Sequence, residues 1–213
     1  MLKTEKHLRI FVPIVLGIAF LFPLLWLGFQ IALQNANWGY ARAVSHEEVA
    51  LRQQVVTTAE SWLGSNEADG SHEAIIDLYN SHTPLARGYA VTYQDSWCAT
   101  FCSAVAIELQ LTQIIPTECG CERQIELFSN LNRWVEDDSY VPLPGDLIYY
   151  SSSDNGIGDC TKWSDHVGIV VGTWGCYIKV IEGNYEDQVQ CRIIPVNEVK
   201  IRGFGIPDYE SIA

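Results

Sequence analysis

Basic residues are scarce in this chain, and the scarcity is uneven. Three of the 13 Lys and Arg residues and one of the 26 Asp and Glu residues fall within the first nine positions. The rest of the chain therefore carries 10 basic and 25 acidic groups, a formal charge of −15. Such a surface excludes non-specific nucleic-acid binding, which rests on Lys and Arg placed at phosphates. Histidine is sparse too: of five, only His166 lies in the second half, so any chemistry there that needs an imidazole has one candidate. Cysteine is absent from the first 97 positions. No period of 20 to 50 residues recurs, which excludes a solenoid or repeat array, and no low-complexity tract appears.

What is present is enough for a core. Apolar residues make up 48% of 213, with 7 Trp, 10 Tyr and 7 Phe, which fits one domain of average size plus an attachment segment. Lys3, Lys6, His7 and Arg9 precede Ile10–Leu33, 24 residues in which Gln30 is the one strongly polar side chain. At 1.5 Å per residue this run spans a hydrocarbon layer of ~30 Å. The basic flank places residues 1–9 in the cytoplasm and the rest outside. A cleaved signal peptide is the alternative, but its apolar stretch is normally ~7–15 residues. The expectation is a single-pass membrane anchor at 10–33, a linker at 34–44 and an extracellular domain at 45–213.

Cysteine usage suits an oxidising compartment. All seven, Cys98, Cys102, Cys119, Cys121, Cys160, Cys176 and Cys191, follow the apolar run. One nucleophile and six others allow three disulfides in 15 pairings. Cys102 falls on the stripe Cys98, Cys102, Val105, Leu109 and reads as a buried core thiol. Cys119 and Cys121 read as halves of two disulfides or as ordinary thiols.

Helices are expected first and strands second. Ser45-His46-Glu47-Glu48 forms a capping box, and Val55, Val56, Ala59, Trp62 and Leu63 follow at helical spacing up to Gly64. Shorter helices are expected near His72–Asn80 (Ile75, Leu78 and Tyr79 inward), at about Trp97–Leu111, and over Arg123–Trp134 with Ile125, Phe128 and Leu131 on one side. Pro144-Gly145-Asp146 is a turn into the strand Leu147–Tyr150. Further strands are expected near Val167–Val171, Tyr177–Ile181, Arg192–Val196 and Arg202–Ile206. This order favours an α+β fold.

One constellation carries chemistry. Cys98 stands where a polar turn runs into an apolar helix, and a thiol in a first helical turn is pushed toward thiolate. His166 opens a β-type run, and a hairpin from it returns Glu182 or Asn184 to the imidazole. Cysteine amidohydrolysis needs a thiolate, an imidazole that takes and returns its proton, and a polar group that orients the ring. Cys98 and His166 fill the first two roles, and Glu182 and Asn184 compete for the third. The Cys98 backbone N–H, with Tyr93 or Gln94, would meet the oxyanion, and Trp97 is a further candidate for substrate contact. Two metal readings are weak. Asp154, Asn155 and Asp159 offer oxygens for calcium but match no EF-hand spacing. Cys119, Cys121, Cys160 and His166 lack zinc spacing, and zinc would consume the histidine. No metal or cofactor is expected.

Together these pieces resemble the CHAP family, the cysteine- and histidine-dependent amidohydrolases/peptidases of bacterial cell-wall hydrolases. The resemblance runs roughly from Glu47 to Tyr209. It rests on Trp97-Cys98-Ala99-Thr100-Phe101, Pro144-Gly145-Asp146-Leu147-Ile148-Tyr149-Tyr150, Asp165-His166-Val167-Gly168-Ile169-Val170, Ile181-Glu182-Gly183-Asn184 and Gly203-Phe204-Gly205-Ile206-Pro207. It implies a papain-like (CHAP/NlpC-like) fold, helices packed on an antiparallel sheet. It also implies Cys98 as nucleophile, His166 as base, and peptidoglycan as substrate, cut at the muramoyl–L-alanine amide or within the peptide. An NlpC-like endopeptidase shares the chemistry with another cut. A catalytically silent wall-binding or scaffold domain is the alternative from another class. The acidic surface would not adhere to an anionic wall by charge, so tethering by the anchor takes that role. Two departures from the family stand out: Cys102 replaces a common aliphatic residue, and the loop Asn155–Ser164, with Cys160, is long.

Overall fold

The structure is a computed structural model that describes residues 23–33, 36–137, 139–155 and 163–213. The chain divides into two units, Met1–Asn37 and Trp38–Ala213. In the first, residues 23–33 are helical, with Leu24, Leu25, Trp26 and Leu27 exposed. Most of the expected span 10–33 lies outside the described residues. Among the described residues no helix is long and apolar enough to cross a membrane.

The second unit is α+β. Four helices, α1 (His46–Ser61), α2 (Glu73–Ser81), α3 (Cys98–Glu108) and α4 (Cys121–Asn130), come first. A six-stranded antiparallel sheet follows: β1 (Trp134–Val135), β2 (Leu147–Tyr150), β3 (His166–Trp174), β4 (Tyr177–Tyr185), β5 (Gln188–Pro195) and β6 (Ile201–Gly205), in spatial order β1-β6-β2-β3-β4-β5. α3 packs on β3 and β4 and against α2.

Local chemistry accounts for most boundaries. Ser45 caps α1, its Oγ accepting from the Glu48 N–H at 3.1 Å. The Glu48 carboxylate does not complete a capping box; it turns to Arg52 at 2.7 Å. Leu63 and Leu131, which continue the expected helical spacing, fall beyond their helices and are exposed. α4 ends at Asn130, and Trp134–Val135 pairs with β6 instead of extending the helix. The expected linker 34–44 is docked over its second half: Gly39 exchanges backbone hydrogen bonds with Thr173 at 3.2 and 3.1 Å. Gly172 makes this crossing possible, because a Cβ there would meet Gly39 N at 2.9 Å.

Strand alternation divides the sheet residues between two faces. Tyr149, Val167, Ile169 and Ile181 join the core under the helices, while Ile148, Tyr150, Val170 and Val180 form a second cluster. The Pro144-Gly145-Asp146 turn is bolted to α1 by a buried ion pair. Arg52 Nη1 lies 2.8 Å from Asp146 Oδ1 and donates to Pro144 O at 2.8 Å, while Asp146 Oδ2 accepts from the Leu143 N–H at 2.8 Å. Asp146 is 0% exposed and Arg52 2%. Asp146→Ala would strand the guanidinium in the interior, so a loss of about 3–5 kcal/mol is expected in denaturant unfolding. A loss under about 1 kcal/mol would show that the pair does not anchor the turn.

Candidate active site

Cys98 is the first residue of α3, and Cys121 is the first residue of α4. The two helix N-termini converge, and the sulfurs stand 3.5 Å apart, Sγ to Sγ. Both side chains are buried. The Ala99 N–H is directed at the Cys98 sulfur, as the start of a helix allows. Cys98 is held well below the ordinary thiol value of 9.0. The hydrogen bond from Cys121 does most, and a hydrogen bond and opposite charge from His166 add to it against the cost of burial. Cys121 is pushed well above 9.0, first by that same hydrogen bond and then by burial. These opposite shifts favour thiolate at Cys98 with Cys121 as the S–H donor. Cys102, one turn on, is raised well above 9.0 by burial and is a core thiol, as its position on the stripe predicts.

His166 opens β3 opposite Tyr150 of β2. Its ring lies between two aromatic rings, 5.8 Å from Tyr150 and 5.9 Å from Tyr185, centroid to centroid. Its pKa is raised above 6.5: burial alone would lower it, but the hydrogen bond and charge of Cys98 and the charge of Glu182 outweigh burial and the Arg192 repulsion. Nε2 lies 3.7 Å from Glu182 Oε1, an ion-pair distance wider than a hydrogen bond. Among the described residues this buried nitrogen has no hydrogen-bond partner.

Register explains why Glu182 is the residue facing the ring. Gly168 pairs with Glu182, so His166, Gly168 and Glu182 share one face. A Cβ on Gly168 would sit 2.6 Å from Glu182 Cγ; the glycine leaves the room through which the carboxylate approaches His166. Glu182 is 0% exposed and is gripped from β5 by Arg192, whose Nη2 lies 2.8 Å from Oε1 and whose Nε contacts Oε2. Arg192 in turn covers the Tyr185 ring at 4.2 Å. Arg192 escapes a sequence reading because it is one charge on a half-exposed strand. Its signal is the register, which sets Arg192 opposite Val180, one step along the same face from Glu182.

Asn184 borders the same cleft as His166, but its side chain is committed to the turn before Cys98. With φ 56° it leaves the strand alternation, a left-handed conformation that Asn tolerates. Its Oδ1 accepts from the Trp97 N–H at 3.3 Å, and its Nδ2 donates to Glu67 Oε1 at 2.9 Å. Both polar ends of the Asn184 side chain are thus engaged at the turn that precedes Cys98, while the carboxylate at ion-pair distance from His166 is that of Glu182. Trp97 is 0% exposed and donates its indole N–H to Glu67 Oε1 at 3.0 Å, so it packs under the site and offers no face to a substrate. The Tyr93 hydroxyl is engaged by Asp77 at 2.8 Å and the Tyr93 carbonyl by the His72 ring at 3.1 Å. Gln94 is exposed in the same turn. A cleft of about 480 Å³ borders His166, Tyr185 and Arg192.

The six described cysteines are all free, so among them none of the allowed disulfide pairings is formed. Cys160 and Asp159 lie outside the described residues, as does most of the loop Asn155–Ser164. Among the described residues no group of three or more His, Cys, Asp or Glu side chains is arranged to hold a metal ion.

The family model of the CHAP domain matches residues 86–184, so that stretch of the chain is similar to a CHAP domain. The match includes Cys98, His166, Glu182 and Asn184 and ends before Arg192. CHAP domains are hydrolase domains related to peptidoglycan amidases and peptidases. No curated protein matches the chain. Among solved structures, the crystal structure of Ly7917 is similar at 12% identity and a TM-score of 0.42, over 73% of this chain and 62% of that one. The chain thus spans under two thirds of that protein's length.

A thiolate maintained by Cys121 and His166 has a chemical signature. Alkylation of Cys98 by iodoacetamide, followed peptide by peptide, should persist well below pH 9.0. Its onset should move toward alkaline pH in His166→Ala and in Cys121→Ala, because each loses a cause of the lowered pKa. An onset near the ordinary thiol value in the unaltered protein would remove the thiolate from this site.

Proposed function

We propose that the chain is a membrane-anchored peptidoglycan hydrolase that cleaves an amide bond through Cys98 and His166, with the papain-like arrangement of thiol helix and histidine strand. The observation that supports it most is the line of thiol, imidazole and buried carboxylate, Cys98, His166 and Glu182, with Arg192 behind. The Cys98 thiolate attacks the amide carbonyl carbon, and the oxygen takes up negative charge at the start of α3, where the Cys98 N–H and the helix dipole favour it. Protonated His166 gives its proton to the leaving amine as the C–N bond breaks. The neutral imidazole then takes a proton from water, which attacks the thioester and frees the acid and the thiolate. Glu182 fixes the ring and steadies its charged form; Arg192 fixes Glu182. Glu182 and Asn184 thus divide the labour, one holding the imidazole and the other the turn that carries the thiol. No step calls for a metal or cofactor.

The anchor reading rests on the apolar run 10–33 and its basic flank, and these support a domain on the wall side. Tethering would keep a domain of formal charge −15 next to an anionic polymer. The bond cut is the muramoyl–L-alanine amide or a peptide bond of the stem or cross-bridge.

Digestion of purified peptidoglycan, read by mass spectrometry of the released muropeptides, tests activity and bond together. New muropeptides are expected from the unaltered protein and none from Cys98→Ala of unchanged circular dichroism. Equal release by that variant would sink the mechanism, and wall binding with no release would favour the silent scaffold. The rate should be bell-shaped in pH. The acid limb belongs to Cys98, below 9.0, and the alkaline limb to His166, above 6.5. Glu182→Gln should move the alkaline limb toward acid by about one unit or more, since the carboxylate favours the imidazolium. An unmoved limb would separate Glu182 from the reaction.

A further inference from the structure

We propose that Cys98 and Cys121 are a redox-modification site, in which an oxidant of the hydroperoxide class closes the nucleophile reversibly into an intramolecular disulfide. The hydrolytic mechanism uses Cys98 as the attacking sulfur and gives Cys121 no covalent role. Yet Cys121 lies 3.5 Å from it, and both thiols are free. A disulfide has its sulfurs about 2.05 Å apart, so closure needs an approach of roughly 1.5 Å.

The position of Cys121 is built into the fold. The segment before α4 is stapled to the cysteine helix: Ser103 Oγ donates to Glu118 O at 2.7 Å and accepts from the Glu118 N–H at 2.9 Å. Glu118 is held further by Arg87, 2.8 Å from Nη2 to Oε1. Gln124, one turn into α4 and 0% exposed, donates to Pro116 O at 2.8 Å and accepts from the Tyr149 hydroxyl at 2.9 Å. Two helix starts are thereby fixed with their sulfurs face to face.

The chemistry balances in two steps. The Cys98 thiolate attacks one oxygen of the hydroperoxide, the O–O bond breaks, and the leaving oxygen departs as water or alcohol with a proton from the site. Cys98 is then a sulfenic acid. The Cys121 sulfur, giving up its proton, attacks the Cys98 sulfur; the S–S bond forms, the S–O bond breaks, and the oxygen leaves as water. Two thiols lose two electrons and two protons, and the peroxide is reduced. The electrostatics assist this order. Cys121 is kept protonated first by its hydrogen bond to Cys98, and the Cys98 charge adds to this. Once Cys98 is a neutral sulfenic acid, that charge is gone, and Cys121 becomes the more acidic thiol as its attack is required. The disulfide spares the nucleophile from sulfinic acid, which thiols do not reverse.

The bond chemistry stands apart from the peptidoglycan reading, while the consequence for activity rests on it. The reduced full-length chain is treated with hydrogen peroxide at stoichiometric amounts, free thiols are blocked with N-ethylmaleimide, and peptides are mapped by mass spectrometry. A linked peptide pair holding Cys98 and Cys121 is expected, lost after dithiothreitol, with muropeptide release lost and regained in step. In Cys121→Ser, checked for folding by circular dichroism, Cys98 should pass to sulfinic acid, and dithiothreitol should restore nothing. The proposal is overturned if Cys98 is found linked to another cysteine, left unreacted, or over-oxidised in the unaltered protein. A linked pair in a protein that releases no muropeptide would sink the hydrolase reading alone. Release without a linked pair would sink this one alone.

Discussion

A carboxylate with no exposed surface is the constraint from which the site is built. Glu182 sits inside a sheet at 0% exposure, and an unpaired charge there would cost several kcal/mol. Burial is tolerable because Arg192 reaches across from the neighbouring strand with two nitrogens and because His166 stands at ion-pair distance on the other side. Arg192 is itself sheltered over the Tyr185 and Tyr150 rings. Four neighbouring strands, β2 to β5, thus supply one row: Tyr150, His166, Glu182 and Arg192. Slipping any strand by one residue would turn its member to the other face and leave a buried charge without a partner. The catalytic row and the sheet register are therefore the same requirement.

Three consecutive residues of β4 then serve three different surfaces. Glu182 faces the imidazole. Gly183 faces the cysteine helix, where a Cβ would meet Phe101 Cβ at 2.5 Å and Trp97 Cζ3 at 3.0 Å; only glycine lets strand and helix come that close. Asn184 turns out of the strand with φ 56° and receives the Trp97 N–H. His166 belongs to the sheet face turned away from the helices. Because it is the first residue of its strand, its ring stands at the sheet end, where the cysteine helix begins.

The parts of this site that are legible in the sequence are those written locally. A polar turn entering an apolar helix marks Cys98, and a histidine opening a β-run marks His166, because each signal spans under ten residues. The choice between Glu182 and Asn184 is not local. Both lie within hairpin reach of the histidine, and they are separated by register and by one left-handed residue, which sequence spacing does not encode. Arg192 and Cys121 are less legible still: each acquires its meaning from a partner on another element, Arg192 through strand pairing and Cys121 through two converging helix starts. The same distinction runs through the fold. Ser45 and the strand Leu147–Tyr150 follow from short patterns. Leu63 and Leu131 continue a helical spacing past the point where their helices stop, so periodicity alone draws them inward.

The two sulfurs show how one environment yields opposite chemistry. Each begins a helix, and each is nearly removed from water, so the dipole favours thiolate at both while burial opposes it at both. Two thiolates 3.5 Å apart would repel strongly in so dry a place, so the pair keeps one proton. What decides its location is asymmetric. The pKa of His166 is raised beside Cys98, and the Ala99 N–H also meets that sulfur, whereas Asp165 and Cys102 act on Cys121 in the direction that retains a proton. The proton is therefore favoured on Cys121, and the negative charge on the sulfur that faces the imidazole. The second thiol makes the first a better thiolate by remaining a thiol, and that dependence is the reason the two cannot be understood separately.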